Sequence, residues 1–152
     1  MRYWLMKSEP AEFSIDDLMR RTRQTEPWDG VRNFQARNLI RDAMRKGDLA
    51  FFYHSSCAEP GIAGIMTIAS GAYPDPTAFD PKARHYDPKS KRHTPTWYLV
   101  DVKFKRKLKR LIPLTELKSH KSLRNMQLLQ RGNRLSVMPV TKQEWDYILQ
   151  LE

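Results

Sequence analysis

The sequence predicts an α+β fold, a mixed β-barrel flanked by short helices. Helical and strand-like stretches interleave without the regular βαβ alternation that builds a parallel sheet. No internal repeat, heptad series or low-complexity tract is present. A length of 152 residues suffices for one core without disulfides or metals, so residues 1–152 are expected to form a single domain.

Tyr3 to Lys7 alternates Tyr3, Leu5 and Lys7 against Trp4, Met6 and Ser8, as in a strand with two dissimilar faces, and Pro10 ends it. Ser14 can cap a helix whose third position is Asp17, with Phe13 stapled to Leu18, so a short helix is expected over about 15–22. Residues 23–32 read as a loop whose Pro27, Asp29 and Gly30 are turn residues around a large indole, Trp28. From Asn33 the spacing is helical as far as Gly47. Phe34, Leu39, Ile40, Ala43 and Met44 point inward, and Arg37, Arg41 and Arg45 recur every four residues on another face.

Leu49 to His54 reads as a buried strand, and Ile62 to Tyr73, with glycines at 64 and 71, as its antiparallel partner. Pro74, Pro76, Pro81, Pro88 and Pro95 make residues 74–96 a long, mostly irregular surface loop. Trp97 to Leu108 alternates again, with Val100, Val102 and Phe104 opposite Asp101, Lys103 and Lys105, so basic side chains project from a strand. Short helices are expected at 114–120 and 122–129, then a strand from Arg134 to Val137. Thr141 and Glu144 form a capping box for a last helix that buries Trp145, Ile148 and Leu149.

The chain carries 27 Lys and Arg against 17 Asp and Glu, a net charge of +10, which suits a polyanionic partner. Residues 81–110 hold eleven basic and two acidic side chains, so nearly the whole excess is one local surface. The single Cys57 can form no internal disulfide, and His54, His85, His93 and His120 lack zinc-ligand spacing, so no metal or cofactor is expected. No apolar run approaches the roughly 18 residues that cross a bilayer, and Met1-Arg2 leads straight into a strand rather than a signal peptide. A bacterial cytoplasmic protein is the expectation, or a nuclear one if the source is eukaryotic.

Catalysis would have to draw on His54, Cys57 or Glu59, but adjacency in sequence does not supply the orienting third group that an activated nucleophile needs. There is no phosphate-binding glycine loop, no H-E-x-x-H and no acidic cluster resembling a nuclease. The chain offers instead aromatic residues in polar loops, Trp28 and Trp97, beside small polar residues such as Asn33 and Ser55. An extruded base needs an aromatic face and a few aimed donors and acceptors, and these residues suit it. Trp28 and Trp97 fit a pocket wall or the core equally. The arginine stripe fits phosphate contacts or a solvated face equally. Trp4 and Trp145 are core residues. A methyl mark adds about 0.8 kcal/mol of transfer energy, so discrimination by burial alone is modest.

The segments Trp4-Leu5-Met6-Lys7-Ser8-Glu9-Pro10, Trp28-Asp29-Gly30-Val31-Arg32-Asn33-Phe34-Gln35-Ala36-Arg37-Asn38 and Phe51-Phe52-Tyr53-His54-Ser55-Ser56-Cys57 occur in this order. With Pro60-Gly61-Ile62-Ala63-Gly64, His85-Tyr86-Asp87-Pro88, Trp97 and Arg134-Leu135-Ser136-Val137, they resemble an EVE domain over almost the whole chain. The resemblance implies a PUA-like β-barrel, related to YTH domains, that binds nucleic acid without catalysis and recognises a modified DNA base, 5-methylcytosine or an oxidised derivative. It implies base-pocket residues Ser8, Trp28, Asn33, Tyr53, His54 and Ser55, with Trp97 and Arg134 added. Trp28 and Trp97 would be walls and Asn33, Ser8 and Ser55 base-edge groups, while Arg32, Arg37, Arg41, Lys103, Lys105 and Lys107 would hold phosphates. An RNA-binding module, a small-molecule sensor and a hydrolase are the alternatives.

Overall fold

The computed structural model describes residues 1–152. In chain order the elements are β1 (Tyr3–Ser8), α1 (Ile15–Arg20), β2 (Thr25–Pro27), α2 (Phe34–Asn38), β3 (Leu49–His54) and β4 (Gly61–Ile68). There follow β5 (Tyr73–Pro74), β6 (Tyr98–Leu99), β7 (Asp101–Pro113), α3 (Leu114–Ser119), β8 (Val137–Val140) and α4 (Lys142–Leu149). Six strands form one mixed sheet in the order β2-β7-β4-β3-β1-β8, with β1 and β3 parallel and every other pairing antiparallel. The sheet curls into a half-barrel, with β2 and β8 as its unjoined edges. The α+β, PUA-like expectation holds, with an open seam where a closed barrel would have a ladder.

Trp4, Leu5 and Met6 are all buried, so β1 is covered on both faces and the two-faced alternation does not hold. Trp4 keeps its polar atom satisfied by donating its indole N–H to the buried Asp48 carboxylate at 3.0 Å. The capping box at α1 is present: Ser14 Oγ accepts from the Asp17 N–H at 3.1 Å and Asp17 accepts from the Ser14 N–H at 2.8 Å. The helix stops at Arg20 because Arg21 is extended, two residues short of the sequence expectation.

Part of the expected 23–32 loop is strand β2, which pairs with β7 in the register Thr25↔Lys103 to Pro27↔Asp101. Three residues ending in proline carry no legible alternation, and proline is tolerated because β2 is an edge strand. After α2 the chain makes a π-turn over Leu39–Ala43, and Met44 is already extended. Arg37 and Arg41 both reach Asn38 Oδ1, and Arg45 donates to the Asp42 carbonyl. Phe34, expected inside, is 59% exposed.

The β3–β4 antiparallel pair is as expected, but β4 ends at Ile68, and Tyr73–Pro74 pairs separately with β6. Residues 75–96 are irregular apart from a short 3-10 turn at Pro76–Phe79 and an isolated antiparallel bridge between Lys91 and Thr94. Strand β7 runs on to Pro113, five residues past the expected end. The expected 122–129 helix is two 3-10 turns, Lys121–Leu123 and Gln127–Leu129. Strand β8 lies three residues later than expected, because Val137 to Val140 are the residues that pair with β1. Helix α4 has its capping box, and Trp145 stacks on Phe51 with ring centroids 3.8 Å apart. One cluster of 33 buried residues includes Trp4, Trp28 and Trp145. No helix is long and apolar enough to cross a membrane.

Candidate nucleic-acid interface

The parallel pairing of β1 with β3 brings Ser8 level with His54, and the Ser55 N–H donates to the Ser8 carbonyl at 2.9 Å. On the other side of β1, the Lys7 N–H donates to the Ser136 carbonyl at 2.8 Å, which draws the segment leading into β8 to the same end. The curl of the sheet carries the end of β2 round to meet them. The result is a cleft of about 600 Å³ in the seam of the half-barrel, lined from both edges: Glu26, Pro27 and Trp28 from β2 onward, and Arg134 and Ser136 ahead of β8.

Trp28 forms part of the wall. It is 7% exposed, and its indole meets Phe52 nearly perpendicular at 5.3 Å and Phe13 at 6.4 Å. Its backbone N–H donates to the Val100 carbonyl at 2.9 Å, so the indole is fixed from both the backbone and the core. Two residues on, Gly30 has φ +83°, and an added Cβ would lie 2.6 Å from the His85 ring, so only glycine lets His85 close over this turn. The Gly30 N–H donates to Asp75 Oδ2 at 2.9 Å.

Asp75 is fully buried and also receives Arg32 at 2.9 Å and the Thr77 N–H at 2.8 Å. Burial alone would push its carboxyl up, but the donors from Thr77, Gly30 and Arg32 outweigh burial and hold it below the ordinary carboxylate value. Asp29, between the two pinned residues, moves the other way. Partial burial pushes its carboxyl up, and the charge of Asp75 adds to the effect. Burial lowers the Lys7 ammonium, which also lines the cleft.

Of the residues named from the sequence, the cleft brings together Ser8, Trp28, Ser55 and Arg134. Ser8 Oγ donates to the Phe13 carbonyl at 2.6 Å. Asn33, Tyr53, His54 and Trp97 lie outside it. Asn33 caps α2, its Oδ1 accepting from the Ala36 N–H at 2.9 Å, and it borders a shallower neighbouring cleft that shares Arg134. Tyr53 is 3% exposed, and burial pushes its hydroxyl up to about 12. His54 Nε2 accepts from the Ile15 N–H at 3.2 Å, which caps α1 from β3. The Trp97 indole N–H donates to Asp87 at 2.7 Å, and its ring packs on Phe34 and under the Arg32 guanidinium.

The basic residues divide in the same way. Arg32 is spent on Asp75, Thr77 and the His85 carbonyl, and Arg37 on the Thr96 carbonyl at 2.6 Å, while Arg41 pairs with its neighbour Asp42. On β7, Arg106, Lys107 and Arg110 pair with Glu152, Asp16 and Glu116, whereas Lys103, Lys105 and Lys109 are exposed and in no ion pair. Sequence reasoning missed Asp29, Lys7, Phe13, His85 and Ser136 as cleft residues. Asp29 sits next to Trp28 and was legible only as a turn residue. The others needed the sheet to be closed up. No group of three or more His, Cys, Asp or Glu side chains is placed to hold a metal ion.

Known proteins share this architecture. Human thymocyte nuclear protein 1 is 53% identical over 167 aligned residues that span 99% of this chain and 73% of the human one. The crystal structure of human THYN1 in complex with 5-methylcytosine-containing DNA superposes with a TM-score of 0.94 at 52% identity, covering 99% of this chain and 97% of that one. A Pseudomonas syringae protein of known structure gives the same TM-score of 0.94 at 52% identity, covering 98% of each chain. Residues 2–151 match the model of the EVE domain, and the chain belongs to the EVE domain family.

Proposed function

We propose that residues 1–152 act as one non-catalytic DNA-binding domain that takes a modified base, 5-methylcytosine or an oxidised derivative, into the cleft beside Trp28. The observation that carries this reading is the human relative in complex with 5-methylcytosine-containing DNA, which shares 52% of its residues and the fold at a TM-score of 0.94. The cleft supports it physically. An extruded base loses its stacking and pairing partners, and a fixed indole beside Ser8, Ser55 and Arg134 returns both kinds of contact. Lys103 is paired in register with Thr25 of β2, the strand whose later residues line the cleft, and Lys105 follows it on β7, so this strand offers two unpaired cations for phosphates.

The non-catalytic part rests on what the candidate nucleophile segment is doing. His54 Nε2 is occupied by the Ile15 N–H and so is not offered to Cys57 as a base. A domain of this kind works where DNA is, in the cytoplasm of a bacterium or the nucleus of a eukaryote.

The test is fluorescence anisotropy with labelled duplexes alike except for one central base: cytosine, 5-methylcytosine, 5-hydroxymethylcytosine or N6-methyladenine, with a matched RNA. A marked cytosine should bind best, and Trp28→Ala should erase the preference while leaving weaker, salt-sensitive binding. Equal affinity for every oligonucleotide, unchanged in Trp28→Ala, would overturn the reading.

A further inference from the structure

The geometry points to Asp29 as the residue that selects the base, accepting the exocyclic amino group of an extruded cytosine and refusing the carbonyl that thymine presents at the same position. This rests on the cleft being a base pocket, and it adds the edge that is read.

Asp29 lines the cleft directly after Trp28. The chain is held on both sides of it, by the Trp28 N–H on Val100 and the Gly30 N–H on the buried Asp75. Only its backbone is engaged, through an N–H bond to the Pro27 carbonyl at 3.1 Å, and its carboxylate has neither a hydrogen-bond donor nor an ion-pair partner in the chain. The other acids of the cleft differ. Glu12 pairs with Arg84 and Glu26 with Arg21. Glu9, also unpaired, enters on a longer and less restricted side chain beside Pro10.

A carboxylate on a rigid turn, open to the cleft and without a donor from the chain, is free to accept from a ligand that brings one and displaces its water. Its pKa is raised by desolvation and by the like charge of Asp75. Cytosine presents an N4 amino donor at its edge, and acidic side chains accept from it. Thymine is 5-methyluracil. It carries the same methyl group as 5-methylcytosine but presents a carbonyl oxygen at position 4, which would face the Asp29 carboxylate acceptor to acceptor. The methyl group cannot separate these two bases. The amino edge can.

The experiment uses duplexes in which the central nucleotide, 5-methylcytosine or thymine, stands opposite an abasic spacer, so that neither base leaves a Watson–Crick pair. Wild type should prefer 5-methylcytosine by about tenfold or more. Asp29→Asn, which can turn its amide to either base, should bring the ratio close to one, and Asp29→Ala should weaken 5-methylcytosine binding alone. Asp146→Asn, on α4 and outside the cleft, should keep the wild-type ratio, and thermal melting should show all three variants folded. If Asp29→Asn and Asp29→Ala keep the wild-type ratio while Trp28→Ala abolishes binding of the marked base, the assignment to Asp29 is wrong and the base pocket stands. If wild type shows no preference and Trp28→Ala changes nothing, both fail.

Discussion

His54 Nε2 accepts a hydrogen bond from the Ile15 N–H, which requires a neutral ring with that nitrogen bare. Burial lowers the pKa of His54 below its ordinary 6.5, the nearby Lys107 lowers it further, and Asp16 opposes both. A folded-state pKa below the unfolded one means that folding disfavours the proton. The contribution of His54 is therefore complete above 6.5 and is lost as pH falls through 6.5 toward the folded value. Thermal melting between about pH 7.5 and pH 5 should show the melting temperature of wild type falling. His54→Gln, whose Oε1 can accept from Ile15 without titrating, should fall less. Parallel profiles for the two proteins would remove His54 as the acid-sensitive group. A histidine placed beside serines and a cysteine thus reads as chemistry in the sequence and as a helix cap in the fold.

At the scale of elements, the curl that makes the cleft depends on irregular pairing. The β4–β7 ladder shifts register between Ile62 and Gly64 and again between Ile65 and Met66, and β3–β4 shifts at Phe52–Tyr53. Bulges of this kind bend a strand and increase its twist. Gly64 sits at one of them because a Cβ there would lie 2.8 Å from the Arg106 carbonyl oxygen and 2.7 Å from Ile15 of α1. Around Gly71 there is nothing within 4 Å. Gly64→Ala should therefore cost about 1–3 kcal/mol in denaturant unfolding by overpacking. Gly71→Ala should stay within about 0.5 kcal/mol. Equal effects would mean that the close approach of α1, β4 and β7 relaxes without cost. From sequence the two glycines look alike.

For the molecule as a whole, the net charge of +10 does not say which cations are free to meet a polyanion. Arg106, Lys107 and Arg110 are neutralised by carboxylates from elsewhere in the chain, whereas Lys103, paired in register with Thr25 of β2, and Lys105 are in no ion pair. Removing one phosphate-binding cation should reduce the slope of log K against log salt by about one. Lys103→Gln with Lys105→Gln should thus flatten the slope by about two and weaken marked and unmarked DNA alike. Arg110→Gln, with its partner Glu116 left free, serves as the comparison. An unchanged slope in the double variant would place the phosphates elsewhere on the surface.

Capping boxes, buried strand runs and turn residues are local, and they were legible residue by residue: Ser14 with Asp17, Thr141 with Glu144, Leu49 to His54, and the irregular stretch after Pro74. The long motifs named the family, and an indole among turn residues marked Trp28 as unusual. What the sequence could not assign was the use of each polar atom. Asn33, His54, Trp97, Arg32 and Arg37 carry the chemistry of a base or phosphate site, yet their donors and acceptors are taken by Ala36, Ile15, Asp87, Asp75 and Thr96. Four of those five partners lie 10 to 59 positions away. Asp29 is the converse, a turn residue left without a partner once the fold had closed. A hydrogen-bonding group serves whichever partner reaches it first, and over such separations only the tertiary fold decides which partner that is.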